Sequence, residues 1–284
     1  MAFERSVLAT ARAFLFVPAD RPERYARALA SGPGVVVIDL EDAVAPDKKD
    51  AARAALEANF PGLPNEARQR TVVRVNPPGS AWADADLEVC RRLGEWGLGG
   101  LMCPKAESAE GLATCAKALH PTGVLIPLVE SLRGLDAVDE IALAPRVLRL
   151  AFGHLDFQLD LGLSCTTEEA ELTAVRLALV MASRRAGLVP PIDGVTVDLK
   201  DEARLQADAL RAKRGGFGAK LCIHPLQVVG VQQAWAPTAQ ELEHARRVLA
   251  AAAASAGGAV SLDGRMVDAP VIQQAERLLG LAVR

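Results

Sequence analysis

Residues 34–49 read GVVVIDLEDAVAPDKK. Val35, Val36, Val37 and Ile38 are β-branched and consecutive rather than alternating with polar residues, so a strand built from them hides both of its faces. Two buried faces mean a parallel sheet covered by helices. The Ala-, Leu- and Arg-rich stretch that follows, 47–59, has the length and apolar spacing of such a covering helix.

The same alternation runs along most of the chain. Strand candidates fall at 13–19 (AFLFVPA), 34–40, 71–76 (TVVRVN), 100–105 (GLMCPK), 124–130 (VLIPLVE), 147–153 (VLRLAFG), 192–197 (IDGVTV) and 219–225 (AKLCIHP). Helical stretches at 22–31, 47–59, 84–96, 109–119, 166–186 and 202–214 lie between them, several opened by the Asp, Ser, Thr or Pro that helix starts prefer. This repetition predicts a (β/α)8 TIM barrel. An open doubly wound sheet is the rival, but neither G-x-G-x-x-G nor G-x-x-x-x-G-K-[ST] follows the early strands. The barrel is expected over 1–235. Residues 236–284 form an extension: a helix at 239–254, a hinge within AAAASAGG (251–258), the polar run VSLDGRMVDAP, and a last helix from Pro270. Such a tail reads as a helical lid, or as a segment completing a neighbouring subunit's site.

With 32 basic against 35 acidic residues the net charge is −3, so the surplus of cations that binds nucleic acid or anionic membrane is missing. The sequence lacks the run of about 18 apolar residues that spans a bilayer. Ala9-Thr10-Ala11 mimics a signal-peptidase site, yet the apolar stretch before it is far too short for one. Five scattered cysteines without a C-x-x-C pair read as reduced thiols. A cytoplasmic protein is expected.

In barrel enzymes the reacting groups project from the C-terminal ends of strands. The candidate strands end in, or are followed by, Asp39-Leu40-Glu41-Asp42, Arg74 and Asn76, Lys105, Glu130, Asp156 and His224. Glu130 and Asp156 come from adjacent strands and could share Mg2+, an ion often held by one or two carboxylates. The planar fork of Arg74 suits a carboxylate or phosphate, and an ion pair with Glu41 or Asp42 is the alternative. Lys105 could form a Schiff base, a role that a neighbouring metal disfavours. His224 reads as a structural histidine. Acyl-enzyme hydrolysis lacks its G-x-S-x-G elbow.

The segments FLFVPADRPERYARAL, VVVIDLEDAVAPDKK, VVRVN, CPKAES, PLVES, AFGHLDF, GFGAKLCIHP and GRMVDAP, in this order, resemble the citrate lyase beta-subunit-like family of the hydroxy-acid and keto-acid aldolase superfamily. The resemblance implies a Mg2+-dependent carbon–carbon lyase acting on a 3-hydroxyacyl thioester of the citryl, malyl or citramalyl type. Its thiol partner would be coenzyme A or an acyl-carrier protein, and its assembly a homotrimer or hexamer. By motif position Glu130 and Asp156 match the metal ligands, and Arg74 with Glu130 matches the groups contacting the substrate acid. Asp268 of GRMVDAP matches a catalytic aspartate that reaches into a neighbouring subunit. Two departures stand out: relatives often begin R-S-x-L-F-V-P-G where this chain has Arg12-Ala13 and ends the motif in Ala19, and His154 replaces a residue that is small in many of them. The competing functions are a metal-dependent aldolase for free hydroxy-keto acids and a non-catalytic subunit that binds an acyl-carrier partner.

Overall fold

A computed structural model describes residues 6–254 and 260–282. These divide into two compact units, one through Ala234 and one from Trp235.

The first unit is a closed parallel barrel of eight strands in sequential order. The strands are β1 (Ala13–Pro18), β2 (Val35–Asp39), β3 (Thr71–Arg74), β4 (Gly100–Cys103), β5 (Val124–Val129), β6 (Ala151–Phe152), β7 (Ile192–Asp193) and β8 (Ala219–Cys222). Closure comes from β1 pairing with β8, Phe14 opposite Leu221. All five residues of β2 are buried, as its unbroken apolar run predicts. Val35, Val37, Phe14, Val72, Met102 and Ile126 fill the interior. In the β2–β3 ladder Asp39 stands directly opposite Arg74, which sets two charged side chains at the C-terminal mouth.

β6 and β7 are much shorter than the sequence suggests. After Asp193 the main-chain acceptors of β7 turn to side-chain donors: Lys220 Nζ binds Gly194 O at 2.6 Å and Gln227 Nε2 binds Thr196 O at 2.8 Å. At 147–150 regular pairing is reduced to one bridge, Leu125 to Val147. Within it Arg149, 1% exposed, donates to the carbonyls of Pro190, Leu8 and Ala11 and lies 5.3 Å from the Phe14 ring centroid. Burial pulls its guanidinium down to about 9, still cationic at neutral pH. A helix that the sequence pattern did not single out, His154–Leu161, follows β6 directly and carries Asp156.

In the second unit the helix Ala239–Ala254 starts on a reciprocal cap, Glu241 N–H to Thr238 Oγ1 at 3.1 Å and Thr238 N–H to Glu241 Oε2 at 2.7 Å. The expected hinge begins inside this helix, and its remainder, 255–258, lies outside the described residues. The run read as merely polar is an antiparallel hairpin, β9 (Val260–Leu262) with β10 (Arg265–Val267). Asp263 and Gly264 both take positive φ, 53° and 76°, as a two-residue hairpin turn requires. Helix Ala269–Ala282 follows, and Ala245, Val248, Val267 and Ala275 form this unit's own core. Among the described residues no helix is long and apolar enough to cross a membrane.

Arg149→Leu leaves three carbonyls, the buried ones of Leu8 and Ala11 and that of Pro190, without this donor. A loss of about 3 kcal/mol is expected, read as a lower urea midpoint at unchanged slope.

Candidate active site at the barrel mouth

A cavity of about 370 Å³ opens at the C-terminal mouth, walled by Asp39, Arg74, Glu130, His154 and Asp156 with Phe16 and Phe152. Asp39, Arg74 and Glu130 arrive there from strand ends and His154 and Asp156 from the helix after β6. Arg74 closes β3 and is almost fully buried. Its Nε and Nη2 donate to the two oxygens of Asp39 at 2.7 and 2.6 Å, and its guanidinium lies 4.7 Å from the Phe16 ring centroid. Nη1 stands 2.9 Å from Glu41 and 3.4 Å from Asp42. Both ion pairs considered from sequence therefore form, but Asp39 takes the bidentate face of the fork. Asp39 also accepts the main-chain N–H groups of Glu41 at 2.9 Å and Ala43 at 3.0 Å, so one carboxylate fixes both the arginine and the turn after β2.

Glu130 follows β5 and is 3% exposed. Its Oε1 accepts the main-chain N–H of Lys105 at 2.7 Å, and Lys105 adopts the left-handed φ of 44°. Gly153 is required beside it, because a Cβ there would fall 2.5 Å from Glu130 Oε2. Burial, then the charge of Asp156, pushes the Glu130 carboxyl up to about 7 against the Lys105 N–H. Burial also pushes Glu41 up to about 8 against the pull of Arg74. Burial drives His154 down to about 4, so its imidazole is neutral.

Other strand-end residues serve the frame. Asn76 donates to Leu40 O at 3.0 Å and to the buried Asp86 at 2.7 Å, and Lys49 donates to the carbonyls of Leu40 and Glu41, both at 2.7 Å. The Lys105 side chain is exposed in a separate groove with Glu107 and Arg133; its main chain, not its amine, serves the site. His224 accepts the Leu226 N–H at 3.2 Å and stands outside the Glu130 cavity. Asp268, in the second unit, accepts the Val271 N–H at 3.3 Å and so caps the helix Ala269–Ala282.

Among the described residues no group of three or more His, Cys, Asp or Glu gathers for a metal, which disfavours a zinc-like closed site. Glu130 and Asp156 instead form an open two-carboxylate pair. A buried, charge-poor glutamate with one oxygen tied and its partner half-buried at the same cavity fits Mg2+, which keeps several of its positions for water and ligand oxygens.

A family model described as HpcH/HpaI aldolase/citrate lyase matches residues 12–225. The chain belongs to that family. Within it, the chain is 40% identical over 272 residues to a citrate lyase subunit beta-like protein of Mycobacterium tuberculosis, covering 94% of this chain and 93% of that one. It is 31% identical over 274 residues to a (3S)-malyl-CoA thioesterase of Cereibacter sphaeroides, covering 95% and 94%. The crystal structure of CitE from M. tuberculosis in complex with magnesium, acetoacetate and coenzyme A superposes with a TM-score of 0.84 at 38% identity, covering 97% of this chain and all of that one. The same protein has been solved with magnesium and pyruvate. The aldolase/citrate lyase family thus contains magnesium-bound members, and the barrel is its fold.

The raised carboxyl of Glu130 has a thermodynamic consequence. Its folded value, about 7, lies above its ordinary 4.5, so the fold holds the extra proton between the two and stability falls as pH rises through that window. Thermal melts of wild type minus Glu130→Gln should show this fall in the metal-free protein, and millimolar Mg2+ should reverse it most at the alkaline end.

Proposed function

We propose that this chain is a Mg2+-dependent carbon–carbon lyase that cleaves, or in reverse forms by Claisen condensation, a 3-hydroxyacyl-CoA thioester of the citryl, malyl or citramalyl type. The products are acetyl-CoA and a 2-oxo acid. The observation that carries the reading is the convergence of Glu130, Asp156 and the Asp39-anchored Arg74 on one cavity. The magnesium, acetoacetate and coenzyme A held by the M. tuberculosis relative support it.

Cleavage removes the hydroxyl proton, breaks the adjacent carbon–carbon bond and leaves the electron pair on the acetyl thioester as an enolate, which then takes a proton at carbon. Glu130 and Asp156 would hold Mg2+, which when bound supplies a Lewis acid for the hydroxyl and carboxylate oxygens of the acid half. Arg74 contributes a fixed cation where charge develops. Nε and Nη2 are committed to Asp39, so the corner offered to a substrate carboxylate is Nη1, which faces Glu41 and Asp42. Glu41, protonated up to about 8, would give way there to the substrate carboxylate. Asp268 is assigned the proton at the acetyl carbon, delivered from a neighbouring subunit by the second unit in a homotrimer or hexamer.

The thioesterase name of the C. sphaeroides relative supplies a second reading, release of the free hydroxy acid and CoA. Product analysis separates them. Citryl-, malyl- and citramalyl-CoA are incubated with Mg2+, and acetyl-CoA with a 2-oxo acid is expected from at least one; free hydroxy acid with CoA and no acetyl-CoA would establish the thioesterase instead.

Glu130→Gln keeps an acceptor for the Lys105 N–H, so it should fold like wild type while turnover drops by about a thousandfold. Asp268→Asn should lower kcat by about a hundredfold or more. Co-expressing the two variants should restore activity that neither has alone, since mixed assemblies contain sites with both intact residues. Failure to complement would place Asp268 outside a shared site.

A further inference from the structure

Beside the Glu130–Asp156 cavity lies a second one, of about 360 Å³. The two share three wall residues, His154, Leu155 and Val195. The second cavity has Thr166, Thr167 and Arg204 in its lining.

The His154 ring is held on several sides. It is 3% exposed. A Cβ on Gly194 would lie 2.1 Å from its Nδ1, so the backbone of the β7 loop is pressed against the ring and only glycine leaves the space. Its Nε2 stands 3.5 Å from Glu169 Oε1, and the Phe152 ring centroid is 6.2 Å away. Glu169 is itself fixed: it takes a left-handed φ of 50° and pairs with Arg176 and, at 2.9 Å, with Arg211. Strain of this kind persists where the surroundings determine the position several times over. A ring so held is a wall rather than a mobile side chain.

We infer that His154 is the partition that sets how large an acid half the cavity accepts, and hence a specificity-determining residue. The inference takes the nature of that acid, a 2-oxo acid, from the lyase reading. A rigid wall discriminates by volume, and one methylene too many against such a wall costs roughly 10-fold or more in binding. Removing the ring merges the two cavities and lifts the limit, while the metal carboxylates and Arg74 stay in place.

Binding tests this without turnover. Calorimetric titrations of the Mg2+-loaded protein with glyoxylate, pyruvate and 3-methyl-2-oxobutanoate should show affinity falling about tenfold or more between pyruvate and the branched acid. In His154→Ala that ratio should shrink below about threefold; a ratio unchanged from wild type overturns the inference. Gly194→Ala leaves His154 in the sequence and tests it independently, even if His154→Ala fails to fold. The added methyl must push the ring off its seat, so pyruvate binding should weaken by about tenfold, and by less than about twofold when the change is added to His154→Ala. Pyruvate affinity within about twofold of wild type in the single variant overturns the wall. Size-graded oxo-acid binding without cleavage of any thioester would sink the lyase reading and sustain this one. Thioester cleavage with ungraded binding would do the reverse.

Discussion

The ion pair between Asp39 and Arg74 organises the mouth of this barrel. Four donors meet on one buried carboxylate: two from the guanidinium and two from the main chain of the turn after β2. Breaking such a pair from one side leaves an uncompensated buried charge, at a cost of about 3–5 kcal/mol. The pair follows from register, since Asp39 and Arg74 face each other across the β2–β3 ladder. Strand pairing, turn geometry and the arginine in the cavity wall are therefore one constraint.

Much of this was legible in the chain. Consecutive β-branched residues announce strands buried on both faces, and all eight candidates contain a barrel strand. The spacing of the motifs also brought Glu130, Asp156 and Arg74 to one cavity. What escaped was what pattern does not encode. Asp39 stood in plain view as an acid closing an apolar run, and a buried acid demands a cation; pairing it with Arg74 rather than with solvent needed the register. Lys105 was read for its amine, whereas the structure uses its N–H, which a sequence does not distinguish from any other. The β9–β10 hairpin had an audible signal, Asp263-Gly264 between short apolar residues, masked by the polar residues around it. The apolar pattern of β7 continues past the point where Lys220 and Gln227 take the main-chain acceptors, and that of β6 begins at 147, where regular pairing is reduced to one bridge.

The charge balance of the cavity also differs from what a near-neutral chain suggests. Asp39, Asp42, Glu130 and Asp156 face Arg74, the one arginine or lysine of the wall among the described residues. Alone, such a mouth repels the anionic acids of the proposed reaction. A divalent cation on Glu130 and Asp156 inverts the local sign, which makes metal and acid interdependent ligands: each improves the site for the other.

The tie between Glu130 and the Lys105 N–H has an evolutionary side. Because the donor belongs to the backbone, replacing the side chain at position 105 by anything but proline does not delete it. The anchor of the Glu130 carboxylate is thus insulated from most point mutations, while the exposed side chain on the same residue can vary within what its left-handed backbone allows. Loops around this mouth can diversify without the Glu130 carboxylate losing its aim.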